Sequence, residues 1–254
     1  MRRILILGGT AEARQLAGRL AKRRALSVTL SLAGRTAAPA QQPVPTRVGG
    51  FGGPEGLAAY LRAERIAALI DATHPYAATM SFNAARAAAL ADVRLIALRR
   101  PAWQPVDGDR WNEVADVRAA MQALGFAPRR VFVALGRNEL APLGEAPQHH
   151  YLIRSVDPVM PPLAVPHATY LTARGPFAQD AEHDLLVRHE IETIIAKNSG
   201  GDATYGKIAA ARALGLDVIL LRRPDLPAVP SVARVEEAAA WLDHVLASAA
   251  ARGV

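Results

Sequence analysis

Three short segments hold the residues able to do chemistry. The first, Leu7-Gly8-Gly9-Thr10-Ala11-Glu12-Ala13, joins an apolar run to an alanine-rich stretch. It approximates the G-x-G-x-x-G/A spacing, in which glycines let backbone amides approach a pyrophosphate at a helix N-terminus. Thr10 stands where the second glycine is wanted, and Ala13 meets the last position. The same glycines would also serve a plain tight turn between strand and helix. The second segment, Asp71-Ala72-Thr73-His74-Pro75-Tyr76, gathers a carboxylate, a hydroxyl, an imidazole and a phenol. Such groups bind polar ligands or move protons, although Asp, Thr and Pro are also ordinary turn residues. The third, Lys197-Asn198-Ser199-Gly200-Gly201-Asp202, leads toward Lys207. Paired glycines before a helix can cradle an anion in backbone amides, here between two lysines.

A further polar stretch, Ser31-Leu32-Ala33-Gly34-Arg35-Thr36, ends the second apolar run. Enzymes that use NAD place an acidic residue there, about 20 positions on, for the ribose 2′-hydroxyl. A cation flanked by hydroxyls suits a 2′-phosphate instead, so Ser31, Gly34 and Arg35 predict NADP(H) rather than NAD(H). A solvated surface arginine is the competing reading of Arg35. Other chemistries lack their residues. There is no cysteine, hence no thiol nucleophile, Cys-ligated zinc or iron–sulfur cluster. No HExxH, Walker A or GxSxG motif occurs, and no metal site is expected.

These segments need rigid supports, and the pattern around them supplies strands and helices in alternation. Strands are expected at 4–7, 27–32, 67–71, 94–98, 130–134, 151–156, 169–172, 193–197 and 217–221. Helices are expected at 11–22, 54–65, 77–91, 114–124, 177–190, 203–214 and 235–250. The chain also repeats itself. Ala84-Ala85-Arg86 is followed by Val93-Arg94-Leu95-Ile96-Ala97-Leu98-Arg99-Arg100-Pro101, and Ala210-Ala211-Arg212 by Asp217-Val218-Ile219-Leu220-Leu221-Arg222-Arg223-Pro224. The spacing differs by three residues, and each copy is preceded by a strand running into an unusual loop. The expected fold class is α/β: two similar Rossmann-like, doubly wound parallel-sheet domains with a ligand cleft between them. We place the dinucleotide-binding domain at 1–110 and a substrate-binding domain at 111–254, with the boundary somewhere between 101 and 130. Which sheet the segment after each proline joins is left open.

Length and charge agree with this reading. A chain of 254 residues with 51% hydrophobic and 21% charged side chains can bury one large or two medium cores. The net charge is +7, and only Lys22, Lys197 and Lys207 of the 30 basic residues are lysines. Arginine grips carboxylate and phosphate bidentately, though a GC-rich genome would also enrich it. The longest basic run is Lys22-Arg23-Arg24, with no nucleic-acid motif or interleaved aromatics. A small polyanion is therefore expected as partner, and no nucleic acid. Gly8-Gly9 interrupts the first apolar run before a signal-peptide core or membrane span could form, so a cytoplasmic protein with no membrane partner is expected.

Taken together, Ile4 to Ala13, Ser31 to Arg35, Asp71 to Ala77 with Asn83-Ala84, Lys197 to Gly201 with Lys207, and Arg222-Arg223-Pro224 resemble the precorrin-6A reductase family of corrin (cobalamin) biosynthesis. Residues from about 103 to 166 match only in general character. The resemblance implies an NADPH-dependent oxidoreductase that reduces the macrocycle of precorrin-6A to precorrin-6B. Its substrate is a tetrapyrrole polycarboxylate, for which the arginine excess has a use. It further implies that Gly8, Gly9, Thr10 and Ala11 hold the pyrophosphate, Ser31, Gly34 and Arg35 the 2′-phosphate, and that Thr73 lies at the cofactor. Glu12, His74, Pro75, Tyr76, Lys197, Asn198, Ser199, Gly200, Gly201, Asp202 and Lys207 would face the substrate, with His74, Tyr76 and Lys197 as candidates for the proton source. Alternatives are the cobalt-precorrin-6A reductase of the anaerobic branch, a two-domain nucleotide-sugar transferase, and a non-catalytic binding module. The sequence leaves the oligomeric state open.

Overall fold

The structure is a computed structural model that describes residues 1–34 and 40–251. In chain order its elements are β1 (Arg2–Leu7), α1 (Ala11–Ala21), β2 (Leu26–Leu32), β3 (Thr46–Val48), α2 (Gly53–Ala63), β4 (Ile66–Asp71), α3 (Ala78–Ala91), β5 (Arg94–Leu98), β6 (Arg110–Val114), α4 (Val117–Leu124), β7 (Arg130–Ala134), β8 (His150–Ser155), β9 (Ala168–Thr172), α5 (Gln179–Arg188), β10 (Thr193–Lys197), α6 (Gly206–Leu214), β11 (Asp217–Leu221), β12 (Ser231–Val232) and α7 (Val235–Ala251). Two short 3-10 turns, Arg137–Glu139 and Ala141–Glu145, lie between β7 and β8. No helix among the described residues is long and apolar enough to cross a membrane.

The elements form two compact units, one of Met1–Pro101 with Pro224–Val254 and one of Ala102–Arg223. Each unit contains one six-stranded sheet, ordered β12-β5-β4-β1-β2-β3 in the first and β6-β11-β10-β7-β8-β9 in the second. Every strand pair is parallel. The two orders are the same dinucleotide-fold arrangement, with β1 and β7 as equivalent first strands and a reversal of winding beside each.

In the first unit the central strands read as unbroken apolar runs because both faces are covered. Ile4, Ile6, Ala68, Ile70, Ile96 and Leu98 pack under α1 and α7 on one face. Leu5, Leu7 and Leu69 pack under α2 and α3 on the other. Helix α1 buries Ala13, Leu16, Ala17 and Leu20, an i, i+3, i+4, i+7 stripe, and Thr10 caps it by accepting from the Ala13 amide. In the second unit Phe132, Leu152, Ile194, Ala196, Val218 and Leu220 pack against Leu186 of α5 and Ile208, Ala210 and Ala211 of α6.

The internal repeat is visible as structure. Helices α3 and α6 end in left-handed caps, Asp92 (φ 51°) and Gly215 (φ 65°), two residues before β5 and β11. The three-residue difference in spacing falls within the helices, between each Ala-Ala-Arg and its cap.

The division at 110/111 differs from the observed units. After Pro101 the chain supplies β6, which pairs with β11 in register Asp217 to Arg110 through Leu221 to Val114. After Pro224 it supplies β12, which pairs with β5 of the first sheet. Residues 224–254 thus complete the first sheet rather than extending the second unit, because backbone hydrogen bonds from Ala97 to Pro230 and from Arg99 to Val232 fix them there. The helix expected from Val114 begins at Val117, since Val114 belongs to β6 and Asp116 caps α4 through the Ala119 amide.

Candidate functional site

The first unit reverses its winding between β1 and β4, the place where open parallel sheets bind ligands. The turn after β1 has Gly9 at φ +121°, a conformation that L side chains rarely adopt, and a side chain there would meet open space. At Gly8 a Cβ would instead lie 2.6 Å from Leu30 Cδ1, so the backbone there approaches β2 closely. The Thr10 hydroxyl donates to the Ala72 carbonyl at 2.9 Å and accepts from Ala13 N at 3.1 Å, tying the β1 turn to the end of β4. The α1 N-terminus therefore opens beside this turn, with its first amides held along the helix axis.

The loop after β4 is organised by Asp71, a buried carboxylate at 3% exposure. It accepts from Thr73 N and Thr73 Oγ1 at 3.2 and 2.7 Å, and from Ser81 Oγ at 2.6 Å. Beyond Thr73, the His74 Nδ1 accepts from the Tyr76 amide at 3.3 Å, and the two rings stand 5.7 Å apart. Glu12 meets Arg100 Nη1 at 2.7 Å, both half-buried. Thr10, Glu12, Thr73, Pro75, Leu98 and Arg100 line one depression at this end of the sheet. The structure so brings together Gly8, Gly9, Thr10, Ala11, Glu12, Thr73 and Pro75, all within the first unit.

Ser31 lies near the end of β2 and is 5% exposed. Gly34 (φ +74°) passes close to β3, where a Cβ would come within 3.2 Å of Val48 Cγ1. Arg35 lies outside the described residues. Arg47, which the sequence reading did not single out, is drawn in from β3: its register partner is Ser31, and its Nη1 lies 3.5 Å from Ser31 Oγ.

The second unit carries the remaining expected residues. Lys197, the last residue of β10, is ion-paired with Glu139, whose carboxylate also accepts from the Gly136 amide at 3.1 Å. Asn198 is buried, its Oδ1 accepting from Trp103 N at 2.8 Å and its Nδ2 donating to Trp103 O at 3.0 Å. Its side chain thus braces the start of this unit. The Ser199 amide donates to the Lys197 carbonyl at 2.8 Å, and Arg223 holds the carbonyls of Asn198 and Ser199. Gly200 and Gly201 follow with φ near +70°, and Trp103 Nε1 donates to Gly201 O at 2.8 Å. Asp202 is exposed and accepts from the Tyr205 amide. Because that turn consumes residues 202–205, α6 starts at Gly206 and not at Ala203. Lys207 is 4% exposed, donates to Thr204 O at 2.6 Å and faces the Trp103 ring at 4.9 Å.

A buried pair escaped the sequence reading altogether. Arg154 of β8 meets Glu182 of α5 through Nη1 and Nη2, with the rings of Phe132 and Phe177 also against its guanidinium. The two residues are separated by 28 positions, so no local spacing announces them.

Comparison with known proteins places this arrangement. The family model described as "Precorrin-6x reductase CbiJ/CobK" matches residues 3–243. A precorrin-6A reductase of Sinorhizobium sp. is 56% identical over 247 residues, covering 97% of this chain and 95% of the relative. That of Rhodobacter capsulatus is 49% identical over the full length of both. A solved structure titled CobK precorrin-6A reductase superposes with a TM-score of 0.93 at 48% identity, over 96% of this chain and 97% of that one. The chain belongs to the precorrin-6x reductase CbiJ/CobK family.

Proposed function

We propose that this protein reduces precorrin-6A to precorrin-6B, with NADPH as the hydride source. One observation carries the reading: near full-length likeness to relatives named for that cobalt-free substrate, at 56% and 49% identity. The β1 turn supports the cofactor assignment, because Gly9 leaves room for a phosphate against the first amides of α1. In this reading Gly8, Gly9, Thr10 and Ala11 hold the pyrophosphate, Thr73 borders it, and Ser31, Gly34 and Arg35 hold the 2′-phosphate.

The reaction adds a hydride and a proton to the conjugated ring. Bound reduced nicotinamide supplies the hydride. The protein has to orient the ring and provide the proton, and His74, Tyr76 and Lys197 are the proposed sources. Asp71 serves this indirectly by anchoring Thr73, which sets the course of the chain into His74, Pro75 and Tyr76. In the second unit the Lys197–Asp202 loop and Lys207 are proposed to recognise acetate and propionate carboxylates, for which ammonium groups and backbone amides are suitable donors. Glu12 is proposed as a substrate contact on the first unit.

The test is anaerobic NADPH oxidation with purified protein and precorrin-6A, with mass analysis of the pigment. Uptake of two hydrogens per NADPH consumed is expected. No oxidation with precorrin-6A but turnover of its cobalt complex would move the protein to the cobalt branch. Tyr76→Phe is expected to lower kcat, and a normal kcat would remove Tyr76 as the proton source.

A further inference from the structure

We infer that Arg47 is a specificity-determining residue of the cofactor site, holding the 2′-phosphate together with Ser31 Oγ. The inference deepens the nicotinamide reading above and rests on it.

Arg47 sits on the edge strand β3 directly across from Ser31, so the two side chains share one face at the carboxyl end of the sheet. This is the ribose end of a dinucleotide fold. Nη1 lies 3.5 Å from Ser31 Oγ and 2.6 Å from the Gly49 carbonyl, and Nη2 lies 2.6 Å from the Gly50 carbonyl. The guanidinium carbon stands 3.8 Å from the Phe51 ring centroid, with Tyr60 further out at 5.5 Å. Two carbonyls and an aromatic face fix the plane of the group without cancelling its charge.

Position and charge together separate Arg47 from the other arginines of its unit: Arg62 and Arg99 also bond only to backbone carbonyls, but neither is in register with Ser31. In the same unit Arg3, Arg19, Arg23, Arg86 and Arg100 each have a carboxylate partner. Among the described residues Arg47 has none. A partly buried, oriented cation beside a hydroxyl, with no internal anion, is an incomplete ion pair at the place where NADPH differs from NADH by one phosphate. The guanidinium has five donors, and its carbonyl contacts leave some of them for phosphate oxygens.

The competing account makes Arg47 only a brace for the Gly49-Gly50-Phe51 turn, and binding measurements separate the two. Adenosine 2′,5′-bisphosphate and 5′-AMP are titrated calorimetrically, and NADPH and NADH by nucleotide fluorescence, against wild type, Arg47→Ala and Arg47→Lys, with thermal melting of each variant. Arg47→Ala is expected to weaken both 2′-phosphorylated ligands by roughly tenfold or more, the size of a lost charge-assisted contact, and to change 5′-AMP and NADH by less than about twofold. Arg47→Lys, which keeps the charge but loses the fork, is expected to fall between. Equal weakening of all four ligands would make Arg47 a brace and overturn the proposal, as would an unchanged preference in both variants. If wild type itself shows no preference for 2′-phosphorylated ligands, the NADPH reading fails with it. If wild type prefers them and Arg47→Ala keeps that preference, the Arg47 inference falls alone.

Discussion

Between β1 and β4 the first unit bridges its reversal of winding with a neutral bond, from Thr10 Oγ1 to the Ala72 carbonyl. Between the equivalent strands β7 and β10, the second unit bridges it with an ion pair, Glu139 to Lys197. The segment after β1 opens a regular helix, whereas the one after β7 folds into 3-10 turns whose Glu139 reaches back to the Gly136 amide. The contrast continues one strand outward. Ser31 near the end of β2 lies beside a cation that has no carboxylate among the described residues, while Arg154 near the end of β8 is matched by buried Glu182. One topology thus carries, in one copy, a cation with no carboxylate partner among the described residues and, in the other, cations paired with the protein's own carboxylates.

That contrast predicts that breaking the second unit's buried pair damages folding, whereas changing the first unit's β1 turn or the second unit's partly exposed pair acts on binding. The largest expected effect is Glu182→Ala, which strands a buried guanidinium and should cost about 3–5 kcal/mol in chemical denaturation. A loss below about 1 kcal/mol would mean that Arg154 finds solvent and that the pair is not structural. Next comes Gly9→Val, where a side chain is forced into a positive-φ conformation at a cost of about 1–3 kcal/mol. NADPH binding should weaken by more than melting falls, and a pure stability loss would count against the turn as a cofactor site. Glu139→Gln should cost less than about 1 kcal/mol, since the pair is partly exposed. Releasing Lys197 from its internal carboxylate should lower the KM for the tetrapyrrole by up to about fivefold. A raised KM would show that Glu139 positions Lys197 rather than competing for it.

The smallest effect concerns pH. Burial holds the His149 imidazole below the usual histidine range, and Nδ1 accepts from the Arg129 amide at 3.2 Å. The unfolded chain therefore takes up a proton near 6.5 that the folded chain refuses. Its contribution is complete above that pH and is lost as the pH falls toward the depressed folded value. His149→Gln should flatten this limb of the stability profile, and an unchanged slope would assign it to other groups.

What the sequence made legible was whatever is written locally. Ile4–Leu7 and Ile66–Ile70 are apolar without interruption because strands covered on both faces have no polar side. Of the four edge strands, β9 was expected at 169–172 and the other three were not legible. Thr46–Val48, Arg110–Val114 and Ser231–Val232 are short and largely exposed, so no apolar period marks them, and the sheet each joins is settled by pairing partners far along the chain. The site followed the same division. Gly8, Gly9 and Thr10 formed a contiguous pattern, but Arg47 acquires a meaning only through its register with Ser31, and Glu139 only through Lys197.

The exchange of sixth strands makes the order of synthesis differ from the order of completion. Residues 102–223, which form the whole second unit, leave the ribosome while the first sheet still lacks β12 and the cover of α7. Until residues 224–254 arrive, Ile96 and Leu98 and the other side chains that α7 covers have no roof. The part of the protein made first is therefore the part finished last, and any truncation or bulky fusion at the C-terminus acts on the fold that begins at Met1.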